Sequence, residues 1–151
     1  MLEAGSTVTI AHPVDVVWEY CIQPDHVMHF TPGTIELRSL TDGPVAVGTK
    51  WEGTTRILGR TMKWKGEYVR VDADKGSEFR STESPFRFTI TTEVTETSAG
   101  TEFSYHVLSE QGLGGIFGKM ADPIVVRAYQ RSLNASVADI PDLIDDWLTE
   151  H

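Results

Sequence analysis

The fold is indicated by one stretch near the start of the chain, residues 6–21, with the sequence STVTIAHPVDVVWEYC. Its first half alternates polar and apolar residues, which predicts a strand over residues 6–11 with one apolar face. Pro13 suits the first turn of a helix, where its missing N–H costs no hydrogen bond. Apolar residues then recur at spacings of three and four up to Cys21, which predicts a helix of about two turns.

A second short helix and a run of strands are expected next. Pro24 ends the first helix, and Asp25 is expected to cap a second one that reaches Phe30. Glycine, proline and polar turn residues then separate segments with a two-residue period. These segments predict strands near residues 34–40, 49–58, 61–71, 77–83, 86–97 and 101–109.

The clearest alternation places Phe88, Ile90 and Val94 on one strand face, with polar residues on the other. One apolar and one solvated face is typical of an antiparallel sheet. The apolar face of such a sheet needs a cover, so the sequence has to supply another apolar surface.

That cover is expected at the end of the chain. Asp122 and Pro123 are a helix N-cap and a first-turn proline. Apolar residues then recur every three or four positions through Trp147, which predicts a helix of roughly 25 residues. Pro141 interrupts the pattern and predicts a kink. The glycine-rich segment 112–118 before it is expected to act as a hinge or lid.

Length, charge and cysteine content narrow the function classes. A chain of 151 residues is expected to form one domain, residues 1–151. No apolar run approaches the roughly 18 residues that span a bilayer, and no signal peptide is recognised, so membrane insertion is not expected. A single cysteine, Cys21, favours a reducing compartment and therefore the cytoplasm. The net charge of -9 argues against nucleic acid and against docking on an anionic membrane.

Several short motifs are similar to those of a known superfamily. The segment IAHP at residues 10–13, followed by Val17-Trp18, resembles the opening "I-x-A-P-x-x-V-W" of START-like (SRPBCC) proteins. HFTPG at residues 29–33 resembles their "W-x-P-G" element, and VGT at residues 47–49 resembles the entry to a long strand. GTEFSY at residues 100–105 resembles the start of their last strand.

The resemblance covers almost the whole chain and is greatest to the polyketide cyclase/dehydrase and lipid transport branch. It implies an α+β helix-grip fold, in which a curved antiparallel sheet of six to seven strands wraps a long C-terminal helix. Two short helices follow the first strand, and a hydrophobic tunnel lies inside. It does not imply one activity, because the superfamily includes lipid carriers, hormone receptors, cyclases and chaperone regulators, so function has to be argued from the site.

Bulky residues on inward strand faces and on the covering elements are the candidate ligand-binding residues. An apolar pocket lined by them would suit a small hydrophobic molecule. Plain core packing is the alternative, and the sequence leaves both open. The set is Met28, Phe30, Trp51, Trp64, Phe88, Tyr105, Met120 and Tyr129.

Histidines give a weaker hypothesis. His26 and His29 share a helix face, and Asp25 could add an oxygen ligand. A zinc site needs a third and usually a fourth protein ligand, however, and no Cys-rich or His-rich partner appears elsewhere in the sequence. No metal and no cofactor are therefore predicted. A general base at the pocket mouth is the alternative, since an imidazole titrates near neutral pH. A surface position is the favoured interpretation for both.

Three functions are compatible with these features. The leading hypothesis is a cytoplasmic protein that binds a lipid, an isoprenoid or a polyketide-like molecule in an internal cavity. The alternative is a polyketide cyclase, aromatase or dehydratase that acts in the same cavity, for which few inward ionisable residues are expected. The third is a chaperone-linked interaction module that uses the outer sheet face. The sequence predicts no oligomeric state.

Overall fold

A computed structural model of the chain describes residues 2–110 and 122–150. They form seven strands and four helices, with two helices between the first and second strands and two at the end. In chain order these are β1 (Leu2–Ile10), α1 (Val14–Cys21), α2 (Pro24–Phe30), β2 (Thr34–Ser39), β3 (Lys50–Ile57), β4 (Arg60–Asp72), β5 (Gly76–Glu83), β6 (Phe88–Thr97), β7 (Gly100–Ser109), α3 (Pro123–Ala138) and α4 (Ile140–Glu150).

The seven strands form one antiparallel sheet in the order β1-β7-β6-β5-β4-β3-β2. Consecutive strands from β2 to β7 pair as hairpins, and β1 adds to the far edge beside β7, so helices α1 and α2 connect the two edges. Register shifts occur twice between β4 and β5 and once between β2 and β3. Such irregularities bend strands, and here they accompany the curling of the sheet into a half-barrel.

The structure confirms the predicted order of elements and corrects two local details. Strand β1 begins at Leu2, four residues before the predicted start, because Leu2 and Ala4 are buried and this segment pairs with β7. The N-cap of α2 is Gln23, and its side chain makes no capping bond. Asp25, predicted as the cap, lies in the first turn instead, because Pro24 takes the first helical position.

The C-terminal helix is long and bent, as predicted. Asp122 caps α3 by accepting a hydrogen bond from the Ile124 N–H at 2.8 Å. The helix breaks at Asp139, directly before α4, and Pro141 lies in the first turn of α4. A proline tolerates that position because no intrahelical N–H bond is needed there. The apolar side of both helices is fully buried through Leu133, Val137, Ile140 and Ile144.

Helix α3 also closes the free edge of β1. The Gln130 side-chain amide donates to the carbonyl oxygen of Gly5 at 2.7 Å and accepts from its N–H at 3.1 Å. This amide therefore pairs with the strand edge much as another strand would. An exposed edge is a template for pairing with other chains, so this contact protects it.

No helix among the described residues is long and apolar enough to cross a membrane.

Candidate functional site

Two small adjoining cavities lie inside, between the concave face of the sheet and the helices. The first has a volume of about 30 Å³ and is surrounded by residues of β2 to β7, α1 and α2. The second has a volume of about 50 Å³ and lies towards β1 and α3. Four residues line both and therefore form the wall between them: Thr31, Thr34, Trp64 and Ile90.

Trp64 is the largest side chain of this wall. Its indole N–H donates to the Thr55 hydroxyl at 2.9 Å. Its ring packs edge to face with Phe79 and Phe88, at centroid distances of 5.8 and 5.1 Å. The ring lies over Gly53, where an added Cβ would be 2.3 Å from Trp64 Cζ2. Gly53 is therefore the residue that makes room for the indole against the sheet.

A second glycine repeats this arrangement on the next strand. A Cβ on Gly66 would lie 2.5 Å from two ring carbons of Phe79. Phe79 packs in turn against Trp51 and Tyr68, with centroids 5.7 and 5.1 Å away. Aromatic rings over bare backbone thus fill much of the concave face, which is why the cavities are small.

A hydrogen-bond chain connects the sheet to helix α2. The Thr31 hydroxyl donates to the Val27 carbonyl at 2.9 Å, and its oxygen lies 2.8 Å from the Tyr105 hydroxyl. Since Thr31 has one hydroxyl proton, Tyr105 is the donor in the second bond. Burial raises the pKa of Tyr105, the Thr31 hydrogen bond lowers it in part, and Cys21 raises it further.

The other titratable groups of the lining are also neutral at physiological pH. Burial raises the pKa of Tyr68, Tyr129 and the Cys21 thiol, and proximity to Tyr105 adds to the shift of both tyrosines. Tyr129 is half-buried as a residue, but its hydroxyl is enclosed. A hydroxyl or thiol held in its protonated form can donate a hydrogen bond but cannot serve as a general base near pH 7.

The first cavity also has polar groups that the sequence analysis did not single out. Ser77 and Thr92 face each other across β5 and β6 and are 3% and 8% exposed. Both side chains line the first cavity and offer it a hydroxyl group. Trp51 lines the same cavity, and its buried indole N–H has no acceptor there. The alternation that put Phe88 and Ile90 inward could have revealed Thr92, which follows the same period.

The structure brings five of the eight predicted ligand-binding residues to the cavities. Trp51 and Tyr105 line the first, Phe88 and Tyr129 line the second, and Trp64 lines both. Their role in binding stays a prediction.

Of the other three predicted residues, two line neither cavity and one lies outside the described residues. Phe30 is fully buried and packs edge to face on Phe103 and Tyr105, at 5.6 and 5.2 Å. Met28 is half-buried against the core and lines neither cavity. Met120 and the glycine-rich segment 112–118 lie outside the described residues.

None of His26, His29 and His106 is among the residues that line the two cavities. His26 stacks on Tyr20 at 3.9 Å, and its Nδ1 donates to the Tyr20 carbonyl at 2.8 Å. His29 is exposed, and neither histidine is among the lining residues. His106 faces outward, as its strand alternation predicts, and bonds Glu3. Within residues 2–110 and 122–150, no group of three or more potential ligands could hold a metal ion.

A larger hollow of about 470 Å³ lies on the outer face of β2 to β5. Charged side chains line it, including the ion pairs Arg38–Glu52 and Lys65–Glu83. A surface with paired charges is well solvated and offers little apolar area to a ligand. The two inner cavities are therefore the candidate site.

Comparison with known proteins agrees with this architecture. No curated protein is similar enough to count as a match. Among solved structures, TTHA0849 from Thermus thermophilus has a TM-score of 0.76 at 17% identity, over 94% of this chain and 96% of that one. The protein of unknown function SA2116 from Staphylococcus aureus has a TM-score of 0.67 at 14% identity, over 99% and 96% of the two chains.

A plant protein has the same fold. Ginseng major latex-like protein 151 from Panax ginseng has a TM-score of 0.63 at 17% identity, over 89% of this chain and 93% of that one. Identities at this level show a shared helix-grip fold and nothing of the ligand. The model of the family described as polyketide cyclase / dehydrase and lipid transport matches residues 1–140. The chain therefore belongs to the polyketide cyclase/dehydrase and lipid transport family of the START-like (SRPBCC) superfamily.

Proposed function

We propose that this protein binds a small hydrophobic molecule (a lipid, an isoprenoid or a polyketide-like compound) between the sheet and the C-terminal helix. The observation that carries the proposal is the pair of adjoining cavities, lined mainly by aromatic and aliphatic side chains. Membership of a family described as polyketide cyclase / dehydrase and lipid transport supports the same ligand class.

The size of the cavities sets a condition on binding. Volumes of about 30 and 50 Å³ suit a few water molecules, whereas a cavity that admits benzene is roughly 150 Å³. A larger ligand therefore has to join the two cavities by moving part of the wall between them. Trp64 is the candidate for this movement, because one hydrogen bond, to Thr55, holds its indole N–H.

Apolar burial supplies the affinity in this proposal. Each Å² of apolar surface removed from water contributes about 25 cal/mol. A ligand that buries roughly 300 Å² would gain about 7 kcal/mol before the costs of ordering it and of moving Trp64. Since about 7 kcal/mol without any cost corresponds to a Kd of roughly 10 µM, those costs make the expected Kd about 100 µM or weaker.

Binding is favoured over the alternative of a polyketide cyclase, aromatase or dehydratase. Such chemistry needs a group that accepts a proton near neutral pH. The titratable side chains of the described lining are Cys21, Tyr68, Tyr105 and Tyr129, and burial raises the pKa of each. These groups can orient a ligand oxygen without removing a proton from the ligand.

The proposal is tested with naphthalene as the probe, by ligand-observed NMR on the purified protein. Ile90→Phe adds volume to the wall shared by both cavities and should weaken naphthalene binding at least fivefold. Glu93→Phe places the same ring on the exposed outer face of the same strand and should leave binding unchanged. Native mass spectrometry of the protein as purified then looks for a retained apolar molecule.

Two results would contradict the proposal. If naphthalene does not bind and the purified protein retains no molecule, the proposal that the cavities bind a hydrophobic ligand is contradicted. Equal naphthalene affinity in the Ile90→Phe variant and the unmodified protein would move the binding site away from the cavities. Circular dichroism of each variant checks that the fold is intact.

A further inference from the structure

The described part of the wall of each cavity is electrically neutral. No aspartate, glutamate, lysine, arginine or histidine is among the described residues that line them. The titratable groups present are tyrosine hydroxyls and one thiol, whose pKa values burial raises. Burying an unpaired charge costs several kcal/mol, so this interior disfavours a carboxylate, a phosphate or an ammonium group.

Polar groups nevertheless line the first cavity. Ser77 and Thr92 are cross-strand neighbours, and both side chains are buried there. The N–H of Trp51 is a buried donor with no acceptor among the described residues, and it lines the same cavity as these two hydroxyl side chains. We call these three residues the polar wall.

Unpaired buried polar groups are costly, and most native proteins satisfy them. In the second cavity, a hydrogen bond to Thr55 already occupies the indole N–H of Trp64. A ligand oxygen in the first cavity would supply an acceptor to the polar wall, and its apolar body would occupy the second cavity.

We propose that the ligand is uncharged and carries a carbonyl or hydroxyl oxygen that bonds to the polar wall. This inference rests on the proposed function, since it names the chemical class of the molecule in the same cavities. It separates neutral oxygenated isoprenoids and polyketides from fatty acids and from the charged head groups of phospholipids. Ser77 and Thr92 are the residues that discriminate among ligands.

Three probes of similar shape test the inference. 2-Ethylnaphthalene has no oxygen, 2-acetylnaphthalene has a neutral carbonyl, and 2-naphthoate carries a charge at pH 8. The acetyl compound should bind about five- to tenfold more tightly than the ethyl compound, as expected for one or two net hydrogen bonds. The carboxylate should bind at least about tenfold more weakly than the acetyl compound.

The matched variant is Ser77→Ala/Thr92→Val, which removes both hydroxyls with little change in shape. It should reduce the preference for the acetyl compound to less than about twofold. Thr54→Val is the control, because Thr54 is also a buried threonine, 8% exposed, but lies at the outer hollow. This control should keep the full preference.

The possible outcomes are distinguishable. If the ethyl compound binds and the acetyl compound binds no better, or the preference survives in the double variant, the inference is overturned and the proposed function stands. Binding of 2-naphthoate as tight as that of 2-acetylnaphthalene would also overturn it. If none of the three probes binds, the proposed function fails and the inference fails with it.

A second measurement does not depend on the double variant folding. The indole N–H resonance of Trp51 in the unmodified protein should shift downfield with 2-acetylnaphthalene and not with 2-ethylnaphthalene. An equal shift with both probes, or none with either while both bind, would contradict a hydrogen bond from the polar wall to the ligand oxygen.

Discussion

Replacing Gly53 by alanine should destabilise the protein by forcing Trp64 off the sheet. The new Cβ would lie 2.3, 2.7 and 2.8 Å from Cζ2, Cε2 and Cη2 of the indole, all far inside van der Waals contact. Gly53 is not among the glycines with positive φ, so the backbone itself accepts alanine. The cost therefore comes from the ring.

The magnitude follows from three contributions. Overpacking a filled interior costs about 1–3 kcal/mol. Displacing the indole also weakens its hydrogen bond to Thr55, at about 0.5–1.5 kcal/mol. Removing a glycine from a strand returns about 0.5–1 kcal/mol. The expected net loss of unfolding free energy is about 1–3 kcal/mol, kept moderate because the ring can shift into the neighbouring cavities.

Urea unfolding followed by circular dichroism measures this loss, and alanine variants of two other glycines give a higher and a lower value for comparison. Gly66→Ala should cost more, because its Cβ meets the carbonyl oxygen of Arg80 at 2.7 Å as well as the ring of Phe79. Backbone cannot move aside as a side chain can. Gly5→Ala is the control, since its nearest contact is His106 Cδ2 at an ordinary 3.4 Å. It should change stability by less than about 1 kcal/mol.

A double-mutant cycle assigns the effect to the indole. In a Trp64→Ala background, Gly53→Ala has no ring to displace and should cost nothing, which gives a coupling energy of about 1–3 kcal/mol. If Gly53→Ala is equally destabilising in both backgrounds, or no more so than Gly5→Ala, the contact between Gly53 and Trp64 does not determine stability. The packing argument for the cavity wall would then fail.

The remaining predictions concern alkaline pH and the sheet edge. Because burial raises every tyrosine pKa, to about 12 for Tyr20, stability is complete below pH 10 and is lost as pH rises towards and through the native pKa values. Absorbance at 295 nm should therefore rise together with loss of circular dichroism, and a phenol that ionises near pH 10 in the folded protein would refute this. Gln130→Ala removes both hydrogen bonds to Gly5 and should cost about 1–3 kcal/mol in urea unfolding, with greater self-association by light scattering. Arg131→Ala, at an exposed neighbouring position, should change neither, and equal effects of the two variants would contradict the role given to Gln130.

Local patterns in the sequence predicted most elements of the fold. The proline at position 13 and the three-and-four spacing up to Cys21 located α1, and the Asp122–Pro123 pair located the start of α3. The alternation around Ile90 correctly separated the inner and outer faces of β6. These features depend on backbone geometry and hydrogen bonds between residues a few positions apart, so a short window of sequence is enough to predict them.

Features that depend on partners distant in the chain were missed. Leu2 extends β1 because Ser109 is available to pair with it, which the local alternation does not show. Phe30 is buried among aromatic rings of β7 instead of lining a cavity, because its exposure depends on how α2 packs on the sheet. Ser77 was overlooked because its partner across the sheet, Thr92, is known only from the register.

The sequence by itself thus determined the order of strands and helices, the inward and outward faces, and membership of a superfamily through motifs such as those around Trp18. Only the tertiary structure decided the size, division and polarity of the interior. Gly53 and Trp64 lie on different strands, and whether they leave a cavity or fill one depends on strand register and on distances of a few tenths of an ångström. Interiors are packed as densely as crystals, so such distances, which the linear pattern does not encode, decide what space is left for a ligand.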